Sequence, residues 1–330
     1  MQNTRSRLIN TALVAMLSVA TWSSQAIGQT TYPKPITGTT VTITSSGLQR
    51  TFIVHNPPTP KSSPGAVMLF HGGSIGTAKQ IQALTLMDNL ADRDGFYSVY
   101  PQALNGHWTD GRESNAGGAN DVQFAKDIVA YLQKTYGVST TKVFSTGQSN
   151  GGIMQYQLAC TAPGLMRAIA PVAADITQNQ RTTCSTVKIT PTMIFMGTAD
   201  QYMPYGGGFP NTVVGQTTTT VTIPAGYQVS GQDDSFVSAA ETAAYWAGVN
   251  GCSSSTSTNI PDKSNDGTTV TKMDYAGCAP GGGSALYTIV NGGHTWPGST
   301  VKTGISSMGL TTLDISANEE MVAFFKKFGL

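Results

Sequence analysis

Gly147-Gln148-Ser149-Asn150-Gly151 sits between the apolar run Lys142–Thr146 and a helix-like segment that begins at Gly152. A serine placed at such a strand-to-helix turn is held out of the sheet, at the positive end of the helix that follows. Glycines two residues to either side let strand and helix pack without colliding with it. The chemistry on offer is nucleophilic attack. A serine hydroxyl is a weak nucleophile until a base takes its proton, and that base needs a carboxylate to fix its tautomer.

Candidates for those partners are few. The chain holds four histidines, His55, His71, His107 and His294, and only His294 follows the serine. It lies in the turn-rich Gly292-Gly293-His294-Thr295-Trp296-Pro297-Gly298, after the strand-like run 285–290, where a base on a loop beyond a strand end is expected. Asp200 ends the apolar run that starts at Pro191 and is the favoured acid, since the order along the chain is then serine, acid, histidine. Asp175, after the run 168–174, is the rival. The run 67–70 leads into His71-Gly72-Gly73-Ser74, a turn suited to an oxyanion hole. The backbone N–H of Asn150 would be one donor, and Gly73 or Ser74 the other. His71 itself reads as a structural hydrogen-bonding residue.

Six ordered blocks carry a resemblance: His71-Gly72-Gly73, Trp108-Thr109-Asp110-Gly111-Arg112, Asn120 to Phe124, Gly147 to Gly152, Gly197-Thr198-Ala199-Asp200, and Gly293 to Gly298. Together they resemble the polyhydroxybutyrate depolymerase and feruloyl esterase group of secreted α/β-hydrolases, from about Arg50 to the C-terminus. The resemblance implies Ser149 as nucleophile, Asp200 as acid and His294 as base. It implies hydrolysis of carboxylic esters through an acyl-enzyme, without a cofactor. Polyhydroxyalkanoate-type polyesters are the first substrate expected. Feruloyl or acetyl-xylan esters, or acyl transfer to an alcohol by the same triad, are the alternatives. The sequence departs from the group's pattern at Asn120, where a second aspartate is common, and in the Thr-rich stretch from Gly206 to Asp234.

Positioning these residues requires a mostly parallel sheet with helices on both faces, in a single α/β domain of the α/β-hydrolase type. Apolar runs alternate with helix-like segments along the chain, as that fold demands. Val41–Thr44 and Arg50–Val54 read as an entry hairpin, 67–70 and 97–100 as inner strands, and 79–91 as a helix. The spacing of Val122, Ala125, Ile128, Val129 and Leu132 predicts a helix over 121–136, capped by Asn120 or Asp121. A closing helix spans 319–328. Trp108, Tyr202, Tyr205 and Trp296 fall on loops at the catalytic edge, which predicts an aromatic substrate cleft.

Arg5 and Arg7, an apolar run over 8–20 and small residues near 26–28 form a secretory signal pattern over 1–28, leaving 29–330 as the catalytic domain. The apolar run is too short for a comfortable membrane span. An exported chain with four cysteines is expected to hold two disulfides. Three pairings exist, of which Cys160 with Cys184 and Cys252 with Cys278 are the local ones. The latter would keep the Ser/Thr-rich segment 253–269 inside the domain as an extended loop or hairpin. The cysteine spacing does not match a zinc site, so no metal is expected. Charged residues are 11% of the chain and the net charge is +1, with no basic patch for nucleic acid. The expectation is an extracellular or periplasmic monomer whose partner is its ester substrate.

Overall fold

Ala66–Phe70 (β3), Val143–Gln148 (β5), Ile169–Val172 (β6) and Thr192–Gly197 (β7) are buried at every position. A strand buried on both faces belongs to the parallel interior of a helix-covered sheet. Alternate side chains separate accordingly: Met68 and Phe70 join one apolar core, Val67 and Leu69 the other. The computed structural model describes residues 37–74, 76–184, 187–209, 234–301 and 306–330. The export signal expected over 1–28 and nearly all of the Thr-rich stretch lie outside the described residues.

Three more strands complete the centre and its entry, Thr39–Ser45 (β1), Leu48–His55 (β2) and Tyr97–Pro101 (β4), and three close it, Ser254–Ile260 (β8), Thr269–Ala276 (β9) and Ser284–Val290 (β10). Their order across the sheet is β1-β2-β4-β3-β5-β6-β7-β10-β9-β8. The six strands from β4 to β10 pair in parallel, and an antiparallel ribbon flanks each side. The Ser/Thr-rich segment forms β8 and the turn into β9, so it is a hairpin of the sheet. This is the α/β-hydrolase architecture, in which every crossover returns the chain to the same sheet edge.

Helices Ala78–Thr85 (α1), Asp88–Asp94 (α2) and Ala317–Lys326 (α7) cover one face, through Ile81, Ala91 and Phe325 among others. The other is covered by Asp121–Tyr136 (α3), Asn150–Thr161 (α4) and Ala239–Val249 (α6), through Ile128, Ile153 and Trp246. The larger of these side chains, such as Ile81, Ile128, Ile153 and Phe325, each contribute about 1.5–3 kcal/mol on burial. The short helix Gln178–Thr183 (α5) follows β6. Asn120 caps α3 by accepting from the Gln123 N–H at 2.9 Å.

The single helix expected over 79–91 is two. Leu86 sits in the left-handed region at φ 49°, where its N–H bonds the Gln82 carbonyl and ends α1. The chain restarts at Asp88, whose carboxylate accepts from Tyr100 Oη at 2.5 Å, Ser98 Oγ at 2.6 Å and Gln82 Nε2 at 2.8 Å. Anchoring Asp88 to β4 requires a change of direction that an unbroken helix cannot make. Two disulfides join Cys160 to Cys184 and Cys252 to Cys278.

Candidate active site

Ser149 has φ 58° and ψ −126°, between the last residue of β5 and the first of α4. A serine pays for that backbone in strain, which the surrounding packing must impose. Three glycines make the imposition possible. A Cβ on Gly147 would stand 2.7 Å from the Phe70 carbonyl oxygen, one on Gly151 2.5 Å from that of His71, and one on Gly152 2.5 Å from the Ala174 Cβ. The turn thus sits flush against the ends of β3 and β6. The first amides of α4 have no acceptor within the helix, so the serine faces unspent N–H donors.

Asp200 and His294 meet across the sheet edge. The His294 Nδ1 lies 2.8 Å from the Asp200 Oδ2, with side-chain exposures of 5% and 0%. The other carboxylate oxygen accepts from the Tyr202 N–H at 2.8 Å and the Met203 N–H at 2.9 Å. Asp200 is therefore fixed by the loop that carries it and has one oxygen left for the imidazole. His294 is fixed as well. Gln148, beside the serine, donates through Nε2 to the His294 carbonyl at 3.1 Å, and the Gly293 N–H bonds the Leu310 carbonyl at 2.9 Å. Asp200 and His294 leave the ends of β7 and β10, which are paired neighbours.

Asp175 is placed differently. It is wholly buried, and neither oxygen makes a hydrogen bond of normal geometry, although the Thr242 hydroxyl is close enough to favour the charged form slightly. Burial pushes its carboxyl well above the usual range, and the neighbouring Asp200 adds to the rise. That rise favours the protonated form, which is a poor partner for an imidazolium.

The glycine turn after β3 borders the serine. A Cβ on Gly72 would lie 3.6 Å from the Ser149 Cβ, and one on Gly73 3.3 Å from the Asn150 Cβ. Ser74 adopts φ 65°. His71 anchors this turn: its Nδ1–H donates to the Gly72 carbonyl at 2.6 Å, and its Nε2 accepts from the Ala103 N–H at 3.1 Å. Burial holds its pKa down to about 4, so the imidazole is neutral and can keep that acceptor role.

Asn150 is gripped by the segment after β4. Its Oδ1 accepts from the Trp108 N–H at 2.8 Å, while Nδ2 donates to the Trp108 carbonyl at 3.1 Å and to the Asp110 Oδ2 at 2.5 Å. Asp110, fully buried, is in turn paired with Arg112 at 2.7 Å. A second buried pair, Arg50 with Asp121 at 2.5 Å, fixes the same segment because Asp121 also accepts from the Thr109 N–H. The roles of Asp110 and Gln148 escape sequence reasoning, since neither spacing nor residue type announces a contact across 40 or 146 positions.

The aromatic cleft expected from four rings does not form as such. Trp108 is 0% exposed, its indole N–H bonded to the His71 carbonyl at 2.8 Å. Trp296 is 2% exposed and donates to the Asn318 Oδ1 at 2.9 Å. Both are buried, and each indole N–H finds its partner inside the protein, on His71 of the glycine turn and on Asn318 of α7. Tyr205 is half-buried and bonds the Thr288 hydroxyl at 2.8 Å. Tyr202 is half-buried too and stays at the site, its ring 5.0 Å from that of His294 and its hydroxyl 2.6 Å from Ser307 Oγ.

Sheet order and the serine turn together define an α/β-hydrolase. No family model matches the chain. It is 25% identical over 304 residues to NocK of Nocardia uniformis subsp. tsuyamanensis, a protein named as an esterase, covering 88% of this chain and 84% of that one. Acetylxylan esterase A of Aspergillus oryzae is 27% identical, covering 77% of this chain and 87% of its own. Feruloyl esterase B of Piromyces equi is 25% identical over 67% of this chain, which spans only 38% of that protein. The solved acetyl xylan esterase from Aspergillus awamori shares the fold, with a TM-score of 0.58 at 18% identity over 88% of this chain and 100% of its own. The chain is a carboxylic ester hydrolase, and the feruloyl and acetylxylan esterases are its relatives. These names do not specifically support the polyester substrate expected first.

Proposed function

We propose that the protein is an exported serine esterase that removes acetyl- or feruloyl-type acyl groups from a polysaccharide. The Ser149 hydroxyl attacks the ester carbonyl as His294 takes its proton at Nε2. Asp200 holds the opposite nitrogen and stabilises the imidazolium that forms. The oxyanion takes N–H bonds from Asn150 and from Gly73 or Ser74. The alcohol leaves with the proton from His294, and water repeats the cycle on the acyl-enzyme. One observation carries this reading: the buried His294–Asp200 hydrogen bond at 2.8 Å, which commits Nδ1 to the acid and leaves Nε2 to act as base. Two disulfides and the sequence pattern of 1–28 support export. Among the described residues, no helix is long and apolar enough to cross a membrane.

Ser149→Ala is expected to lower turnover on the order of a millionfold with an unchanged fold, by analogy with other serine triads. The measurement is hydrolysis of p-nitrophenyl acetate alongside labelling by a fluorophosphonate and peptide mapping. Labelling at a different serine, with activity kept in the alanine variant, overturns the assignment.

A further inference from the structure

We propose that an open cleft of about 370 Å³ beside the oxyanion turn is the subsite for the alcohol half of the ester, that this alcohol is a neutral, hydroxyl-rich sugar chain, and that His107 contacts it. The proposal rests on the serine-esterase reading above and adds the place and the residues that select the substrate.

The cleft lies on the catalytic edge. Its walls come from Leu104, Asn105, His107 to Thr109, Asn115 and Gly117 to Ala119, which follow the C-terminal end of β4, and from Leu48. Strand β2 runs antiparallel to β4 with Phe52 opposite Pro101, so Leu48 at its start reaches beyond that same end. Glycine packing ties the cleft to the reaction centre. A Cβ on Gly73 would lie 3.0 Å from the His107 Nδ1 as well as 3.3 Å from the Asn150 Cβ, and Gly106 is pressed against the Ser74 carbonyl. One glycine turn therefore separates the His107 ring from the serine elbow. A ligand whose ester carbonyl enters the oxyanion turn has this cleft as its neighbouring space.

The lining specifies the ligand's chemistry. It offers Asn105, His107, Thr109 and Asn115 with the backbone of Gly117 and Gly118, and among the described residues the lining holds no aspartate, glutamate, lysine or arginine. A charged polymer finds no counter-ion among these lining residues. The His107 ring is half-buried and makes no hydrogen bond among the described residues. Burial and then the nearby Arg112 push its pKa down, so it presents one N–H and one lone pair, the complement of a hydroxyl. Leu48, 44% exposed, supplies an apolar surface for the C–H face of a sugar ring. An aliphatic polyester, whose repeating ester carbonyls only accept, can use the N–H donors of this lining but not its acceptors.

The test compares specificity constants on an acetylated xylo-oligosaccharide and on p-nitrophenyl acetate for the full protein, His107→Ala and Leu48→Ser. Melting temperatures establish that each variant is folded. In His107→Ala the ratio of sugar ester to aryl ester should fall about tenfold, chiefly through KM, as expected for one lost substrate hydrogen bond. Leu48→Ser should lower it by a smaller factor, and inhibition of the wild type by unesterified xylo-oligosaccharide should weaken in both variants. Equal losses on both esters would make His107 a support of the oxyanion turn and overturn the subsite, with the esterase reading intact. A wild type that favours a soluble hydroxyalkanoate oligoester, with that preference sensitive to both variants, would overturn the sugar. Absence of hydrolysis of every ester, with Ser149 unlabelled by fluorophosphonate, would remove the underlying reading and the subsite with it.

Discussion

In the proposed mechanism Asn150 does two jobs with different atoms. Its backbone N–H, at the start of α4, is aimed by its position in the elbow, while its side chain locks that position to Trp108 and Asp110. Asn150→Ala keeps the N–H and removes three hydrogen bonds, so it should lower kcat about tenfold with little change in KM. That is less than the roughly hundredfold or greater loss for deleting an oxyanion donor outright. Steady-state kinetics and the rate of fluorophosphonate labelling check it together; an unaltered kcat would mean the elbow needs no such clamp. Asp175 makes the opposite case, a polar residue whose removal should help. Its pKa is raised in the fold, so above the ordinary aspartate range the unfolded chain releases a proton that the folded chain keeps. Stability then falls as pH rises through that window. Asp175→Asn removes the effect and should raise Tm by several degrees at pH 8 and hardly at all at pH 4, with esterase activity retained. Thermal melts across pH decide it, and a constant difference would contradict the neutral carboxyl.

At the scale of elements, what the sequence showed plainly was whatever is written in a run. The buried strands β3 and β7 are near-continuous apolar stretches, and α3 announces itself by its 3.6-residue spacing and its Asn120 cap. The elbow was legible because its glycines have a steric reason to be there. The break at Leu86 was not, because it is caused by Asp88 meeting Tyr100 and Ser98 on another strand. The burial of Trp108 and Trp296 was illegible for a related reason. A tryptophan on a loop looks the same in sequence whether its N–H points to solvent or to a carbonyl beneath it. Local patterns place elements; the long-range hydrogen bonds that aim side chains leave no period behind.

At the scale of the whole molecule the two disulfides span similar separations, 24 and 26 residues, yet they hold different things. Cys160 ends the helix that follows the serine and, like Cys184, is buried in the core, whereas Cys252 and Cys278 bracket the outermost hairpin. Chain entropy alone assigns each about 3 kcal/mol. Replacing either pair by serine should therefore lower Tm by roughly 5 °C. Activity at 25 °C should suffer in the Cys160–Cys184 variant and survive in the other. Calorimetry and initial rates distinguish the two; equal activity losses would show that the outer hairpin also supports the site.

Gly208 and Phe236 exchange backbone hydrogen bonds at 2.8 and 2.7 Å, and Asp234 accepts from the Glu113 and Ser114 N–H groups at 2.7 and 3.0 Å. The two ends of the stretch between them are therefore stitched together at the base, next to the segment that grips Asn150. Where two points of a chain are paired in this way, doubling the number of residues between them costs only about 0.6 kcal/mol. A change in the number of residues between these pairing points is therefore felt weakly by the sheet, and descendants of this chain have room to lengthen or shorten it while Ser149, Asp200 and His294 stay where they are.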